Sequence, residues 1–166
     1  MKFGLFLKKL LVSFSVFLDL EKAFNTVNHK FLVSKLKGYN IKCSMLNLIE
    51  SYLKDRSQST VINNVVSERE ILNVGIPQGS CLGPLLFLVY INDIFLATNI
   101  KLRLFADDAC LSYQHCDFDQ VNVVINKELS KIDEWLRKNR LFINYSKTKF
   151  LLFNKTAKKK RNFLLK

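Results

Sequence analysis

Three aspartates stand where a divalent cation could use them: Asp19 and the adjacent pair Asp107-Asp108. The pair sits in Phe105-Ala106-Asp107-Asp108. Its flanks, Lys101-Leu102-Arg103-Leu104 and Ala109-Cys110-Leu111-Ser112-Tyr113, alternate with a rough period of two. That pattern predicts a tight β-hairpin with two carboxylates at its turn. Neighbouring side chains on a regular strand point to opposite faces, whereas a turn can aim one or both at a shared point. Read alone, an Asp-Asp pair is more often a polar turn without chemistry. Asp19 lies at the polar tip of Ser13 to Leu20, a Phe-, Val- and Leu-rich stretch that reads as a buried strand. A carboxylate at that tip, beside a carboxylate pair on a neighbouring hairpin, is costly unless a cation neutralises it. Oxygen-only ligands favour Mg²⁺, which keeps several waters and takes one or two carboxylates plus substrate phosphates. Two such ions about 3.5–4 Å apart clamp the attacking and leaving oxygens of a phosphoryl transfer.

Elements that can position these groups follow in order. Asn28 to Lys37 reads as a helix with Gly38 as its stop. A second helix is expected from Met45 to Lys54, with Ser44 as N-cap and Met45, Leu48, Ile49, Tyr52 and Leu53 as its apolar stripe. Gln58 to Val66 reads as a strand pair turning at Asn63-Asn64, and Ile71 to Val74 as a further strand. Gly75-Ile76-Pro77-Gln78-Gly79-Ser80 is a loop dense in backbone punctuation. Pro84 stands near the start of a helix running to Phe95, a position where proline is tolerated. Phe118 to Asn139 is a long amphipathic helix with Phe118, Val121, Ile125, Leu129, Ile132 and Leu136 at helical spacing, expected to pack one face on a sheet. Strands at Leu141 to Tyr145 and Lys149 to Phe153 complete an α+β layer, an antiparallel sheet with long helices packed on one face.

Composition bounds the reading. The 166 residues, 49% apolar, suffice for one domain with a real core and exclude a disordered chain. The net charge is +12, but nine basic residues fall in the two ends and leave about +3 for the stretch between. Cys43, Cys81, Cys110 and Cys116 have neither CxxC spacing nor paired histidines, so neither zinc nor a disulfide framework is indicated. The N-terminal apolar run is broken by Lys8-Lys9, lacks a small-residue cleavage signature and is closed by Asp19. Leu85 to Ala97 is too short to span a bilayer and is interrupted by Asn92-Asp93. The expectation is a soluble, intracellular protein, nuclear or cytoplasmic, with no membrane partner.

Four strings in order decide the chemistry: FLDLEKAFNTVNH (Phe17 to His29), GIPQGSCLGPLLFLVYINDI (Gly75 to Ile94), FADD (Phe105 to Asp108) and WLRKNRLFINYSKTKFLLF (Trp135 to Phe153). Together, over residues 14–154, they resemble the palm of reverse transcriptases, nearest to those of non-LTR (LINE-like) retrotransposons. The resemblance implies that Asp19 and Asp107 hold two Mg²⁺ ions, with a carbonyl ligand from Leu20 and Asp108 as the auxiliary carboxylate. It implies that Phe24 is the aromatic gate filling the space of a ribose 2′-OH, and that Gln78 and Gly79 contact the incoming nucleotide and templating pair. Lys147 matches the lysine that protonates or stabilises departing pyrophosphate. Outside the motifs, Phe24 would read as core, Gln78-Gly79 as a turn and Lys147 as a solvated charge; His29 is left as structural.

The implied activity is RNA-directed DNA polymerisation, with an RNA template, a DNA primer and a dNTP as partners. Asn25 departs from the family, which usually has Asp there. Residues 1–154 are expected to be a palm without fingers, thumb or endonuclease parts, and 155–166 a basic tail. Such a piece would be inactive by itself. The alternative reading is a non-catalytic retroelement remnant that binds nucleic acid weakly through Lys8, Lys9 and Lys158 to Arg161. A palm-like enzyme making cyclic nucleotides is disfavoured by the GIPQGS string.

Overall fold

The computed structural model describes residues 11–153. The expected tail at 155–166 and the lysines at positions 8 and 9 lie outside them. In chain order the elements are β1 (Val12–Leu18), α1 (Ala23–Thr26), α2 (His29–Gly38), α3 (Cys43–Leu53), β2 (Ser57–Gln58), β3 (Val61–Ile62), β4 (Val65–Val66) and β5 (Glu70–Ile71). Then come α4 (Leu82–Ile91), a 3₁₀ segment (Asn92–Ala97), β6 (Lys101–Phe105), β7 (Asp108–His115), α5 (Phe118–Lys138) and β8 (Lys149–Phe153). These residues cluster in two compact units, one of 11–19, 95–135 and 143–153, the other of 20–94 and 136–142.

The first unit is a four-stranded antiparallel sheet in the order β6-β7-β1-β8. Strict alternation in β1 fixes it: Val12, Phe14, Val16 and Leu18 are buried, while Ser13, Ser15 and Phe17 look outward. Val16 faces Leu111 on β7 and Phe150 on β8, and Leu18 faces Ala109. A slip of one residue would exchange this set for Ser13, Ser15 and Phe17. Each fully buried large apolar side chain is worth about 1.5–3 kcal/mol relative to exposure, so the register is strongly specified. On α5, Val121, Ile125 and Ile132 are fully buried at helical spacing. Leu129 and Asp133 of α5 line a small cavity with Val16 and Leu18, which places the helix over the buried face of the sheet. The α+β arrangement, an antiparallel sheet with helix on one face, is the one expected from the sequence.

Glu128 is the only buried charged residue among those described, 4% exposed. Its carboxylate accepts from Lys131 Nζ at 2.6 Å, from Thr98 Oγ1 at 2.9 Å and from the Asn99 N–H at 2.8 Å. It thus ties α5 to the segment that launches β6.

In the second unit the Asn28 side chain caps α2 by accepting from the Phe31 N–H at 3.1 Å. Leu32 and Leu36 of α2, with Leu86, Phe87, Tyr90 and Ile91 of α4, form its core. The fully buried Tyr90 donates to the Asn139 carbonyl at 2.6 Å and accepts from the Asn28 N–H at 3.3 Å. Burial raises its pKa. Lys35 reaches the Tyr90 carbonyl and Asp93, and burial lowers its pKa against the effect of that partner.

Several expectations are corrected. The second helix starts at Cys43 with Lys42 as N-cap, so Ser44 lies inside it. Its buried stripe is Leu46, Ile49 and Leu53, and Met45 and Leu48 face solvent. The region 57–71 forms two two-stranded ribbons, β2 with β5 and β3 with β4; the latter turns at Asn63-Asn64, both at positive φ. The expected turn at Asn63-Asn64 is thus found, whereas the strand expected over Ile71 to Val74 is the shorter β5, ending at Ile71. No strand forms over 141–145. Its backbone instead enters a turn, in which the Lys147 and Thr148 N–H groups donate to the Asn144 carbonyl. Helix α4 gives way to the 3₁₀ segment after Ile91. No helix among the described residues is long and apolar enough to cross a membrane.

Burial works to raise the Glu128 pKa, but the hydrogen bonds from Lys131, the Asn99 N–H and Thr98 outweigh it and hold the carboxyl below its ordinary value of 4.5. A depressed folded-state pKa contributes stability above the unfolded value, lost as pH falls through the folded one. Glu128→Gln is therefore expected to destabilise by about 1–3 kcal/mol at neutral pH. In urea unfolding, the gap to the parent chain should close as pH drops below 4.5. A gap that is constant with pH would show that the carboxylate's charge contributes nothing.

Candidate active site

In the first unit Asp19 follows the last residue of β1. Its backbone is held by the Asn144 N–H, which donates to the Asp19 carbonyl at 2.8 Å. Asp108 opens β7, opposite Phe105. The β1–β7 register ends at Leu18↔Ala109, so one further step sets Asp19 level with Asp108. The two line one concavity of about 460 Å³ with Phe17, Leu18, Ser146, Lys147 and Lys149. Lys149 faces Phe17 on the ladder.

Asp107 is the second residue of the two-residue turn between β6 and β7 and does not line the concavity. The turn's first residue, Ala106, has φ 54°, a conformation costing a non-glycine residue on the order of 1–2 kcal/mol. Such local strain persists where surrounding structure over-determines it, here two paired strands.

Among the described residues the side chains of Asp19, Asp107, Asp108 and Lys147 make no hydrogen bond or ion pair. No group of three or more His, Cys, Asp or Glu side chains gathers among them as a metal cage. Two free carboxylates on one open concavity instead suit Mg²⁺, which is bound by one or two carboxylates together with substrate phosphates. The residues present fit that ion on those terms.

In the second unit Phe24 belongs to α1 and stacks on Phe87, with ring centroids 4.7 Å apart and planes inclined by 25°. Phe87 is fully buried and Phe24 only partly, so the Phe24 ring rests on a fixed base and stays partly open to solvent. Leu20 is buried, which leaves its backbone rather than its side chain for a ligand role. The loop 75–80 is bound to α1 and its C-cap Val27 by backbone hydrogen bonds from the Gly75 N–H to the Val27 carbonyl and from the Ile76 N–H to the Phe24 carbonyl, both 2.8 Å. His29 Nε2 lies 2.7 Å from the Gly75 carbonyl, which accounts for this histidine structurally. Gln78 Nε2 donates to Asn25 Oδ1 at 3.1 Å. Gly79 has φ +78°, and nothing lies within 4 Å of where its Cβ would be.

Sequence reasoning missed two partners. Lys149 shares the concavity with Lys147, a relation readable from their spacing of two. The Asn25–Gln78 hydrogen bond joins residues 53 apart, and no local signal could have found it.

Comparison with known proteins adds three findings. Residues 8–164 match the family model described as reverse transcriptase (RNA-dependent DNA polymerase). The chain is similar to the probable RNA-directed DNA polymerase from transposon X-element of Drosophila melanogaster, 33% identical over 145 residues, 84% of this chain and 16% of that protein. It is likewise similar to the one from transposon BS of the same species, 31% identical over 142 residues, 81% of this chain and again 16% of the relative. The chain thus spans about a sixth of the length of these relatives. Among solved structures, apo telomerase from Candida tropicalis, truncated from its C-terminal domain, superimposes with a TM-score of 0.63 at 16% identity, covering 92% of this chain and 33% of that one. That likeness speaks to the fold alone.

The loop geometry separates two glycines. Gly75 has φ +88°, and a Cβ there would lie 3.0 Å from the Asn25 carbonyl oxygen, whereas at Gly79 only the backbone conformation resists substitution. Gly75→Ala is expected to cost about 2–4 kcal/mol and Gly79→Ala about 1–2 kcal/mol. Urea midpoints of the two variants check this; equal losses would mean that the close approach to Asn25 does not constrain the loop.

Proposed function

The chain belongs to the reverse transcriptase (RNA-dependent DNA polymerase) family, and on that premise we propose that it supplies the nucleotidyl-transfer palm of an RNA-directed DNA polymerase of the non-LTR retrotransposon type. In the proposed reaction the primer 3′-oxygen attacks the α-phosphorus of a dNTP. The new P–O bond forms as the bond to the bridging oxygen breaks, and pyrophosphate leaves. The observation that carries this reading is the concavity lined by Asp19, Asp108 and Lys147, none of whose charges has a partner among the described residues.

Asp19 and Asp107, with the Leu20 carbonyl, are the proposed holders of two Mg²⁺ ions, and Asp108 is the auxiliary carboxylate facing Asp19. When bound, such ions stabilise the charge on the attacking and leaving oxygens. Lys147 protonates or electrostatically stabilises the departing pyrophosphate in this reading, which its sharing of a concavity with Asp19 supports. Phe24 fills the space of a ribose 2′-OH; its stacking on a buried ring supports that role because a gate must not yield. Gln78, whose amide is oriented by Asn25, reads the incoming nucleotide. The open space at Gly79 permits close backbone approach.

RNA template, DNA primer and dNTP are the proposed partners. The grip on the template–primer duplex is assigned to other parts of a longer polymerase, in keeping with the share of the relatives that this chain spans.

Two preparations test the proposal. The isolated chain should give no primer extension on an RNA template above its Asp107→Asn variant. Placed in the X-element polymerase in exchange for the matching 145 residues, it should support extension. Asp19→Asn or Asp107→Asn should then lower the rate by about two orders of magnitude or more, as expected for groups acting on transition-state charge. Phe24→Val should raise ribonucleotide use relative to dNTP. A chimera that binds template–primer as its parent does, yet does not extend, would favour the non-catalytic reading.

A further inference from the structure

Beside α1, the second unit holds a cavity of about 350 Å³ rimmed by the polar residues Asn25, Arg56, Gln58 and Gln78 and lined as well by Leu72, Val74, Gly75, Ile76 and Pro77. Among the described residues no carboxylate lines it. Glu70 faces Gln58 across the β2–β5 ribbon but is not among the lining residues.

Arg56 immediately precedes β2, and its carbonyl accepts from the Leu72 N–H at 2.7 Å, so its backbone is tied to the base of the ribbon. Its guanidinium and the Gln58 amide have no partner among the described residues. Gln78 spends one amide N–H on Asn25 Oδ1, which leaves its second N–H and both N–H groups of Asn25 Nδ2 without a described acceptor. The rim therefore carries one full positive charge and an excess of donors. That chemistry matches phosphate oxygens, which arginine binds through a planar fork of N–H groups.

The identity of residue 25 decides the sign of the site. An Asp there would put a carboxylate in the same cavity as Arg56, offsetting its charge and repelling an anion. Asn25 keeps the acceptor that orients Gln78 while leaving the Arg56 charge for a ligand.

We infer that this cavity is a phosphate-binding subsite, with Arg56 as its anchoring cation and Asn25 and Gln78 as supporting donors. The phosphate belongs either to a nucleoside triphosphate or to a polynucleotide backbone. Only the choice of these two carriers rests on the polymerase reading proposed above; the anion site itself rests on the rim.

The test uses the full chain, ¹⁵N-labelled, titrated at fixed ionic strength with inorganic tripolyphosphate, dTTP and a short single-stranded RNA. At least one probe should shift the Gly75 and Gln78 amide resonances. Arg56→Gln and Asn25→Asp should each weaken that binding about tenfold, the scale of one charge-assisted contact. Response to tripolyphosphate and dTTP identifies a free nucleotide as the carrier; response to RNA alone identifies a strand backbone. Both outcomes support the subsite. Unchanged affinity in both variants, or shifts confined to the basic ends of the chain, would overturn it. Asn25→Asp is isosteric and carries the test if Arg56→Gln does not fold. Retained binding together with failure of the extension experiment would count against the polymerase reading and leave the subsite standing.

Discussion

The alternation of β1 is the constraint on which the candidate site depends. Val12, Phe14, Val16 and Leu18 can be buried together only in one register against β7 and β8. That register leaves the odd-numbered residues on the open face and delivers Asp19 at the strand's end, level with Asp108. The free energy that holds two carboxylates near one another thus comes from the apolar side of the sheet, remote from the carboxylates themselves. Glu128 supports the same unit from another direction, by joining α5 to the start of β6. The paired strands in turn over-determine the hairpin tip, where Ala106 accepts a positive φ and Asp107 is displayed.

A different logic governs the second unit. Here the functional candidates lie on α1 and the 75–80 loop, elements too short to hold themselves. Backbone hydrogen bonds from Gly75 to the C-cap of α1 and from Ile76 to α1, a glycine at which a Cβ would crowd the Asn25 backbone, and the stacking of Phe24 on Phe87 do the holding. In the same unit Tyr90 bridges the Asn28 N–H and the Asn139 carbonyl. Sites built on loops need this kind of support to stay within the tolerance that positioning chemistry requires.

Much of this was legible in the sequence where local pattern and burial agree. The hairpin around Asp107-Asp108, helix α5 and strand β8 follow from periodicity that the sheet and its covering helix reinforce. The motifs that carry the family resemblance were readable for the same reason, being contiguous strings. What was not legible depends on distant partners. Residues 141–145 have a strand-like composition, but the turn at Asn144 takes their backbone elsewhere. In the stripe of α3, Ile49 and Leu53 are buried as expected, but Met45 and Leu48 are apolar yet exposed and Leu46 is buried in their stead. That Asp108, rather than Asp107, shares the concavity with Asp19 follows only from strand register. The orientation of Gln78 by Asn25 is a tertiary contact with no local signature.

The central claim is that Asp19 and the Asp107-Asp108 hairpin form a divalent-cation site assembled by the sheet. Titration of the chain with Mn²⁺, followed by the loss of the free-ion electron paramagnetic resonance signal, tests it most directly. The account predicts a binding isotherm weakened by Asp19→Asn and by Asp107→Asn, less so by the auxiliary Asp108→Asn, and unaffected by Asp55→Asn, an exposed aspartate of the other unit. Binding that Asp19→Asn and Asp107→Asn leave equal to the parent chain's would contradict it.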